Sequence, residues 1–559
     1  MKKPVESALN LLASPFSRSH PMHQLQSKEK LSWKQAPFIR LLFPLIGGIL
    51  IENYLPMNAS FQLPVFIFTV LLLFLCNLIS LSGFFGFEWI AGLAIQLAFF
   101  SFGRILMTIH QDKSIEQSAC YVKNQPNLLI LRLQGEPVSK QKNFKCLATV
   151  SWLYKYQTCY VEKEKIIVFF SNKINPENIV AGSCIAVRKI LLPIENFKAY
   201  PDFDYIRYCH LRHIDAQVFI KENEYVVLGK EKEKSLFDPL NSLRKKLQII
   251  IKNRIPTKSE NGLLEALMVG FTEDLDPGLL KSYADSGVIH IIAISGLHLA
   301  LIYHILQLLL KKIPQKKQIR WFKLFLIIGL LWGYSILSGA SPSVIRSALM
   351  FSLVLFSRNV SREAVLYNTL AASAFLLLCF DPYWIWDTGF QLSYAAVLSL
   401  RLFSKPIRDL LPVQNKFLLM IWEAGSVSLA AQLLTTPISI YYFHRFPSYF
   451  LIANLIAVPL SSAILVGGIL LCIFSFIDPL GQLLGWGLAY LIRSMNDFII
   501  YISHLPGAVW SQLRLSLPEM LVAYLIIFSF YIFLKNRKIA WLLTGLGSIC
   551  LFQLIRWIA

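Results

Sequence analysis

Charge is scarce in this sequence. Of its 559 residues, 16% are Asp, Glu, Lys or Arg, against about 25% in a soluble domain. Acidic residues are the scarcer kind, 33 against 54 basic ones, and the formal net charge is +21. With 55% hydrophobic residues, this balance excludes a soluble enzyme, which needs a charged surface, and a disordered regulator, which needs low hydrophobicity. Paired cysteines are missing too: the nine cysteines contain no CxxC and no zinc-ligand spacing. Five of them, Cys120, Cys146, Cys159, Cys184 and Cys209, fall in a polar stretch, an odd number that cannot all pair within the chain. A Cys146–Cys159 bridge is one arrangement among several. No GxxxxGK[ST] loop occurs, so ATP-driven motion has to come from another polypeptide. No HxHxDH motif occurs among the ten scattered histidines, and no metal or cofactor is expected.

Long apolar runs are what the sequence has in quantity. Runs of about 20 residues recur, the length that crosses a bilayer as a helix. We place about thirteen spans, near 38–55, 63–82, 87–109, 288–310, 321–338, 343–357, 364–380, 387–403, 417–441, 449–475, 483–503, 519–534 and 540–557. Segment 449–475 is long for one straight span, and Pro459 and Gly467-Gly468 are candidate break points. Residues 1–36 read as a mobile cytoplasmic tail, 37–110 as three N-terminal spans and 111–235 as a soluble β-rich domain. Residues 236–287 read as interfacial amphipathic helices and 288–559 as the main bundle. Connections 311–323, 358–363, 401–416 and 535–538 carry 6, 2, 4 and 3 basic residues, whereas the short connections on the other side hold only Arg445 and Arg514. The positive-inside rule then makes the N-terminus cytoplasmic and the soluble domain extracytoplasmic. Much of the positive charge is therefore topological, and by itself it is weak support for a nucleic-acid partner.

The soluble domain contains five strand-like stretches: Leu128–Val138, Phe144–Leu153, Cys159–Phe170, Cys184–Ile194 and Ala216–Leu228. Five short strands in about 100 residues suit a Greek-key barrel of the OB type, with a sandwich as the alternative. The expected fold class is a polytopic α-helical membrane protein of about 12–13 spans with an inserted extracytoplasmic OB-like β-barrel domain. Trp152, Tyr154, Tyr156, Tyr160, Phe169 and Phe170 interleave with Lys145, Lys155, Lys163 and Lys165. On such a barrel Lys145, Tyr154, Lys155, Tyr156 and Lys163 are candidates for stacking bases and attracting phosphates. The plainer reading of the same pattern is core aromatics with a solvated face.

Ionisable and amide groups at membrane depth are costly, and they are functional candidates for that reason. Three clusters stand out. In His290-Ile-Ile-Ala-Ile-Ser-Gly-Leu-His298, the two histidines on one helix are about 12 Å apart, too far to share a metal unless the helix breaks at Ser295-Gly296. Ser295 and His298 share a face, but nothing nearby supplies the third group of a hydrolytic triad. Ser338-Gly-Ala-Ser341-Pro-Ser343, followed by Arg346, combines close helix approach with a Pro-led helix start that can meet an anion. Asp387, Gln391 and Tyr394 lie at i, i+4 and i+7, on one helical face, and Asp387 is expected beside Arg346. Gln432, Thr435, Thr436, Asn454, Asn496 and Asp497 add to a hydrated interior.

The first cluster resembles the hallmark of the ComEC competence family. Ser341-Pro-Ser-Val-Ile-Arg346-Ser-Ala-Leu-Met350 resembles that family's second signature, and Asp387-Thr-Gly-Phe-Gln391-Leu-Ser-Tyr394 its third. Phe203-Asp-Tyr205 matches a further family feature. The resemblance runs from about residue 37 to the end. It implies an inner (plasma) membrane channel that takes up single-stranded DNA in natural transformation, with His290, Ser295, His298, Ser341, Ser343, Arg346, Asp387, Gln391 and Tyr394 along the path. Many members end in a metallo-β-lactamase-like domain proposed as the nuclease. No zinc motif of that kind is present here, so nuclease activity is not expected of this chain. A separate DNA receptor, nuclease and cytoplasmic ATP-driven motor are the expected partners, beside the lipid bilayer, and a homo-oligomer is compatible with the sequence. Two other classes stay open: an intramembrane hydrolase using Ser295 and His298, and a polytopic small-solute transporter.

Overall fold

The computed structural model describes residues 36–81, 88–123, 128–134, 137–139, 143–155, 158–160, 164–171, 182–196, 204–230, 238–314, 316–360 and 366–558. The tail at 1–35 lies outside the described residues. The chain divides into two compact units. One comprises Phe38–Ser235 with Ala374–Asp387; the other comprises Met1–Pro37, Leu236–Ser373 and Thr388–Ala559.

The first unit begins with three helices, α1 (Pro37–Tyr54), α2 (Ala59–Leu81) and α3 (Glu88–Lys123). Glycines let α1 and α3 touch along their backbones. A side chain on Gly48 would overlap the Phe100 carbonyl, and one on Gly103 the Leu45 carbonyl, the small-residue packing that membrane helices use. The contact encloses a polar knot. Glu52, 1% exposed, accepts from Arg104 at 2.7 Å and from Gln62 at 2.9 Å, and Thr108 donates to Gln62 at 2.9 Å. A carboxylate at this depth is tolerable only when so paired. Helix α3 continues to Lys123, beyond the expected boundary at 110. Its apolar window ends at Gln111, yet no proline or glycine stops the helix there.

The strands are β1 (Leu128–Leu133), β2 (Val138–Ser139), β3 (Asn143–Lys155), β4 (Thr158–Tyr160), β5 (Glu164–Ser171), β6 (Ser183–Val187), β7 (Leu192–Pro193), β8 (Ile214–Ile220) and β9 (Tyr225–Lys230). They form one sheet in the order β7-β8-β5-β3-β1-β6-β9, with β2 and β4 paired to β3. Most pairings are antiparallel; β5 and β8 run parallel, and the short helix α4 (Tyr205–His210) leads from β7 into β8. Alternation in β1 buries Leu129, Leu131 and Leu133, which join Val150, Val168, Phe170, Ile185 and Val218 in one core. No hydrogen-bonded pairing closes the sheet among the described residues. Cys146 is a buried thiol, not half of a disulfide, because β3 places it in the core opposite Val168 of β5.

The second unit is helical: α5 (Asp238–Arg254), α6 (Lys258–Val269), α7 (Pro277–Asp285), α8 (Ile289–Ile292), α9 (Gly296–Leu309), α10 (Lys317–Leu337), α11 (Pro342–Asn359), α12 (Leu366–Phe380), which ends in the first unit, α13 (Thr388–Arg408), α14 (Lys416–Phe443), α15 (Phe450–Phe474), α16 (Asp478–Ser503), α17 (Leu517–Asn536) and α18 (Ile539–Ile558). Its largest core surrounds α6, where Leu263, Leu264, Leu267 and Met268 pack with Ile464, Leu465 and Ile492. Helix α15 is unbroken over 25 residues. Its two glycines serve packing: a side chain on Gly468 would overlap the Met268 sulfur, and one on Gly467 would come within 2.7 Å of Leu488.

Among the described residues, 7 helices are long and apolar enough to cross a membrane: α1, α3, α10, α14, α15, α17 and α18. Three shorter apolar helices, Phe61–Phe74, α9 and α12, accompany them. The architecture is that of a polytopic membrane protein. The sequence count of about thirteen exceeds these seven for physical reasons. Helix α16 carries Arg493 and Asp497, α11 carries Arg346 and Arg358, α13 carries Arg401, Lys405 and Arg408, and the span expected at 288–310 is two helices.

Candidate functional site

The first cluster occupies that break. Helix α8 ends at Ile292 and α9 begins at Gly296, leaving Ala293 and Ile294 between them and Ser295 as the N-cap whose carbonyl accepts from the His298 and Leu299 N–H groups. His290 is exposed on α8, and His298 is 3% exposed on α9. The backbone N–H of Ser295 donates to Nδ1 of His298 at 3.1 Å. An N–H can only donate, so Nδ1 carries no proton and the proton of a neutral imidazole sits on Nε2. The histidine therefore caps its own helix. Its nearer nitrogen is taken by a main-chain donor and cannot serve the Ser295 hydroxyl as a base. The break makes the 12 Å helical separation of the histidines inapplicable, yet no group of three His, Cys, Asp or Glu able to hold a metal occurs among the described residues.

The second cluster forms the turn from α10 into α11. Gly339 (φ +85) and Ala340 (φ 49) have left-handed backbones. Their N–H groups close α10 by donating to Ile336 and Ser335 carbonyls, a glycine-led stop. Ser341 then stands at the N-cap with Pro342 at the first helical position. This turn rests on the end of α6, where a side chain on Gly270 would overlap the Ser338 carbonyl and approach Ile294 at 3.4 Å. A side chain on Gly296 would lie 3.0 Å from Ser347, so the starts of α9 and α11 are in contact.

Arg346, 2% exposed, reaches the third cluster: its Nη2 donates to the Gly389 carbonyl at 2.8 Å, in the first turn of α13. Tyr394, one turn further on, shares a 2.9 Å hydrogen bond with Ser373 and packs on Phe390 at 4.5 Å between ring centres. Gln391 is half-buried on the same helix. Asp387 does not share their helical face, because α13 starts one residue later. Asp387 ends a 3-10 turn, Pro382–Trp386, and its N–H donates to Trp384. Helix α11 thus touches the start of α9 through Ser347 and the start of α13 through Arg346.

In the β domain the candidates divide. Lys145 donates to the Tyr205 hydroxyl at 3.2 Å, so it is already engaged at the Phe203-Asp-Tyr205 feature, where Asp204 caps α4 by accepting from Arg207. Tyr154 and Lys155 lie at the end of β3, paired with Cys159 and Thr158. Tyr156 and Lys163 lie outside the described residues. Of the interleaved aromatics, Phe170 is core, Phe169 stacks on Phe219 at 4.9 Å, and Trp152 is 39% exposed.

Sequence reasoning missed two features. His213, with φ 56, places Nε2 3.1 Å from Asp381 Oδ2, and its ring lies 6.4 Å from that of His110. A lone histidine beside a turn gives no sequence signal of a partner 168 residues away. The second is a cavity of about 680 Å³ lined by Glu260, Asp276, Asp285, Arg493, Asn496 and Asp497 among others. It shares no residue with the three clusters. The polar stripe at 493, 496, 497, 503 and 504 along α16 was its available signal.

The fold and these junctions define a polytopic membrane protein whose polar chemistry is gathered at helix starts. The family described as "Competence protein" matches residues 267–537. The chain is 30% identical over 315 residues to "ComE operon protein 3" of Bacillus subtilis, covering 54% of this chain and 38% of that protein. It is 28% identical over 287 residues to "Recombination protein 2" of Haemophilus influenzae, covering 49% and 36%. It is 30% identical over 149 residues to "Competence protein ComA" of Neisseria gonorrhoeae, covering 25% and 21%. The matches span less than two-fifths of the length of these relatives. No solved structure matches the chain. Over residues 267–537 the chain is similar to the competence-protein family.

Proposed function

We propose that this protein is an inner-membrane channel that takes up single-stranded DNA in natural transformation. The observation that carries the reading is that the second signature segment touches the other two at the starts of α9 and α13, through Gly296 against Ser347 and Arg346 on Gly389. Helix starts present N–H groups and the positive end of the helix dipole, which favour anions. A phosphodiester chain is such an anion. His290, Ser295, His298, Ser341, Ser343, Arg346, Asp387, Gln391 and Tyr394 line or shape its path. The test is uptake of labelled DNA in a transformable host deleted for this gene and complemented in turn with wild type and Arg346→Ala. Wild type restores uptake and Arg346→Ala lowers it at least tenfold. Uptake equal to wild type in Arg346→Ala, with equal protein in the membrane, overturns the role.

The sheet supports an OB-like barrel. In the strand order β7-β8-β5-β3-β1-β6-β9 the chain at 188–191 crosses from β6, next to one end, to β7 at the other. The parallel β5–β8 pair fits a Greek key. This barrel captures DNA outside the cytoplasm, and the N-terminus is cytoplasmic. The division into tail, three spans, barrel, interfacial helices and bundle, at the boundaries given above, belongs to the same proposal. A separate receptor, nuclease and ATP-driven motor complete the uptake machinery. The hydrolase alternative is disfavoured by the main-chain capture of His298 Nδ1. Crosslinking of DNA to the bundle during uptake separates the channel from a small-solute transporter.

A further inference from the structure

Helix α5 carries Arg244, which is half-buried and lies against Gly339, in the turn that leads into the second signature. A methyl group built on Gly339 would stand 3.6 Å from both Nη1 and Nη2, so the Nη end of the guanidinium lies against this residue, whose φ of +85 favours glycine. On its other side Arg244 lies 5.9 Å from the ring centre of Phe271, the residue after Gly270, which itself touches Ser338. Three elements thus fix one guanidinium at the turn that leads into Ser341 and Ser343.

That guanidinium is underused. Its Nε is buried without a hydrogen-bond partner, and no ion pair with Arg244 occurs among the described residues. Burial pulls its affinity for a proton below the usual range, with Glu273 and Glu265 opposing from further off. A guanidinium has five donors in a rigid fork matched to phosphate, and buried donors left unmade cost about 1–3 kcal/mol each. Helix α5 is otherwise a basic helix whose Lys245 and Lys246 are exposed. Arg244 approaches the turn at Gly339.

We propose that Arg244 is a phosphate contact for single-stranded DNA at the second signature, reaching it from α5 while Arg346 reaches it from α11. The inference rests on the channel reading and names a contact that reading does not contain. The purified full chain in nanodiscs is titrated with fluorescent oligo-dT across a series of salt concentrations, as wild type, Arg244→Gln, Arg244→Lys and Lys246→Gln. Each phosphate neutralised on a single strand contributes about 0.7 to the slope of log affinity against log salt. Arg244→Gln lowers the slope by about that amount, Arg244→Lys restores most of it, and Lys246→Gln leaves it in place. A merely structural role weakens binding at every salt concentration with the slope intact, and that result overturns the proposal. So does a slope lost equally in Lys246→Gln, which makes the effect one of helix charge. Should Arg244→Gln fail to fold, a wild-type slope and a wild-type affinity in Arg244→Lys together with a full loss in Arg244→Met support the contact, and no change in Arg244→Met overturns it. Absence of oligo-dT binding by folded wild type instead overturns the channel reading itself.

Discussion

His213 and Asp381, 168 positions apart, are clasped at 3.1 Å within one compact unit. The pair ties the entry of β8 to the 3-10 turn at Pro382–Trp386, which leads directly into the third signature. Asp381 has a second duty: its Oδ1 accepts from the Tyr383 N–H at 3.0 Å and caps that turn. Asp381→Ala removes both bonds and is expected to cost about 1–3 kcal/mol. Asp381→Asn keeps one acceptor, for the Tyr383 N–H, and turns an amide donor toward His213 Nε2, which can receive it only when unprotonated; it is expected to cost less than Asp381→Ala. Thermal unfolding of the two variants in nanodiscs checks the order, and equal losses show that the acceptor is not what matters. His213→Asn tolerates the left-handed backbone and is expected to be milder than His213→Ala.

The main-chain bond from Ser295 to His298 separates two functions. If the histidine caps α9, Ser295→Ala leaves its backbone donor intact and lowers DNA uptake only by what one hydroxyl on the path contributes, far less than Arg346→Ala. His298→Ala then loses the cap and a buried ring, lowering stability by about 1–3 kcal/mol. A hydrolase that depends on Ser295 reverses this order, with Ser295→Ala abolishing activity in a protein of unchanged stability. Uptake and unfolding midpoint measured on both variants decide between them.

The legible parts of the molecule were those written in local pattern. Helix ends at Asn359, Phe380, Phe443 and Ser503 fall close to the apolar runs, because hydrophobic length sets a span. The order of strand-like stretches survived because alternation in segments such as Leu128–Leu133 is a period-2 signal. Ser341 and Pro342 were readable as a helix start because their backbone chemistry is local. What failed was tertiary. The α8–α9 break carries no proline, and the sequence reads through it as one apolar run. Gly467-Gly468 looked like a break and proved to be a packing surface, since only the neighbouring Met268 and Leu488 reveal why no side chain is allowed. Arg346 was singled out as a buried charge, but its hydrogen bond to the Gly389 carbonyl is one that no side-chain pattern predicts.

The backbone contact between α1 and α3 gives a strong packing prediction. Gly48 faces the Phe100 carbonyl and Gly103 the Leu45 carbonyl, and backbone cannot yield as a flexible side chain can. Gly48→Val is expected to separate the helices and expose the Glu52–Arg104 pair, 1% and 17% exposed as side chains. Breaking a buried pair costs about 3–5 kcal/mol. Loss of folded protein in the membrane fraction, with Gly92→Ala as a neutral control because nothing lies within 4 Å of it, checks this. Equal yields of the two variants rule out the close packing.

Glu265 gives the pH prediction. It is fully buried in α6, and burial raises its carboxyl from the usual 4.5 to about 7, against the pull of Lys252. Lys252 lies 3.9 Å from Glu265 and is bound more closely to Asp274, at 2.8 Å. In the fold the carboxyl keeps its proton up to about pH 7, whereas in the unfolded chain it ionises near 4.5. The folded state therefore binds the proton more tightly, and the stability this gives is complete below about pH 4.5 and lost as pH rises through 7. Glu265→Gln keeps the shape without the charge. It is expected to flatten the dependence between those limits and to stabilise the protein at pH 8 by roughly 1–3 kcal/mol. Unfolding midpoints of wild type and Glu265→Gln across that range measure it. Parallel curves would mean that Glu265 stays ionised in the fold and that Lys252, not burial, governs its charge.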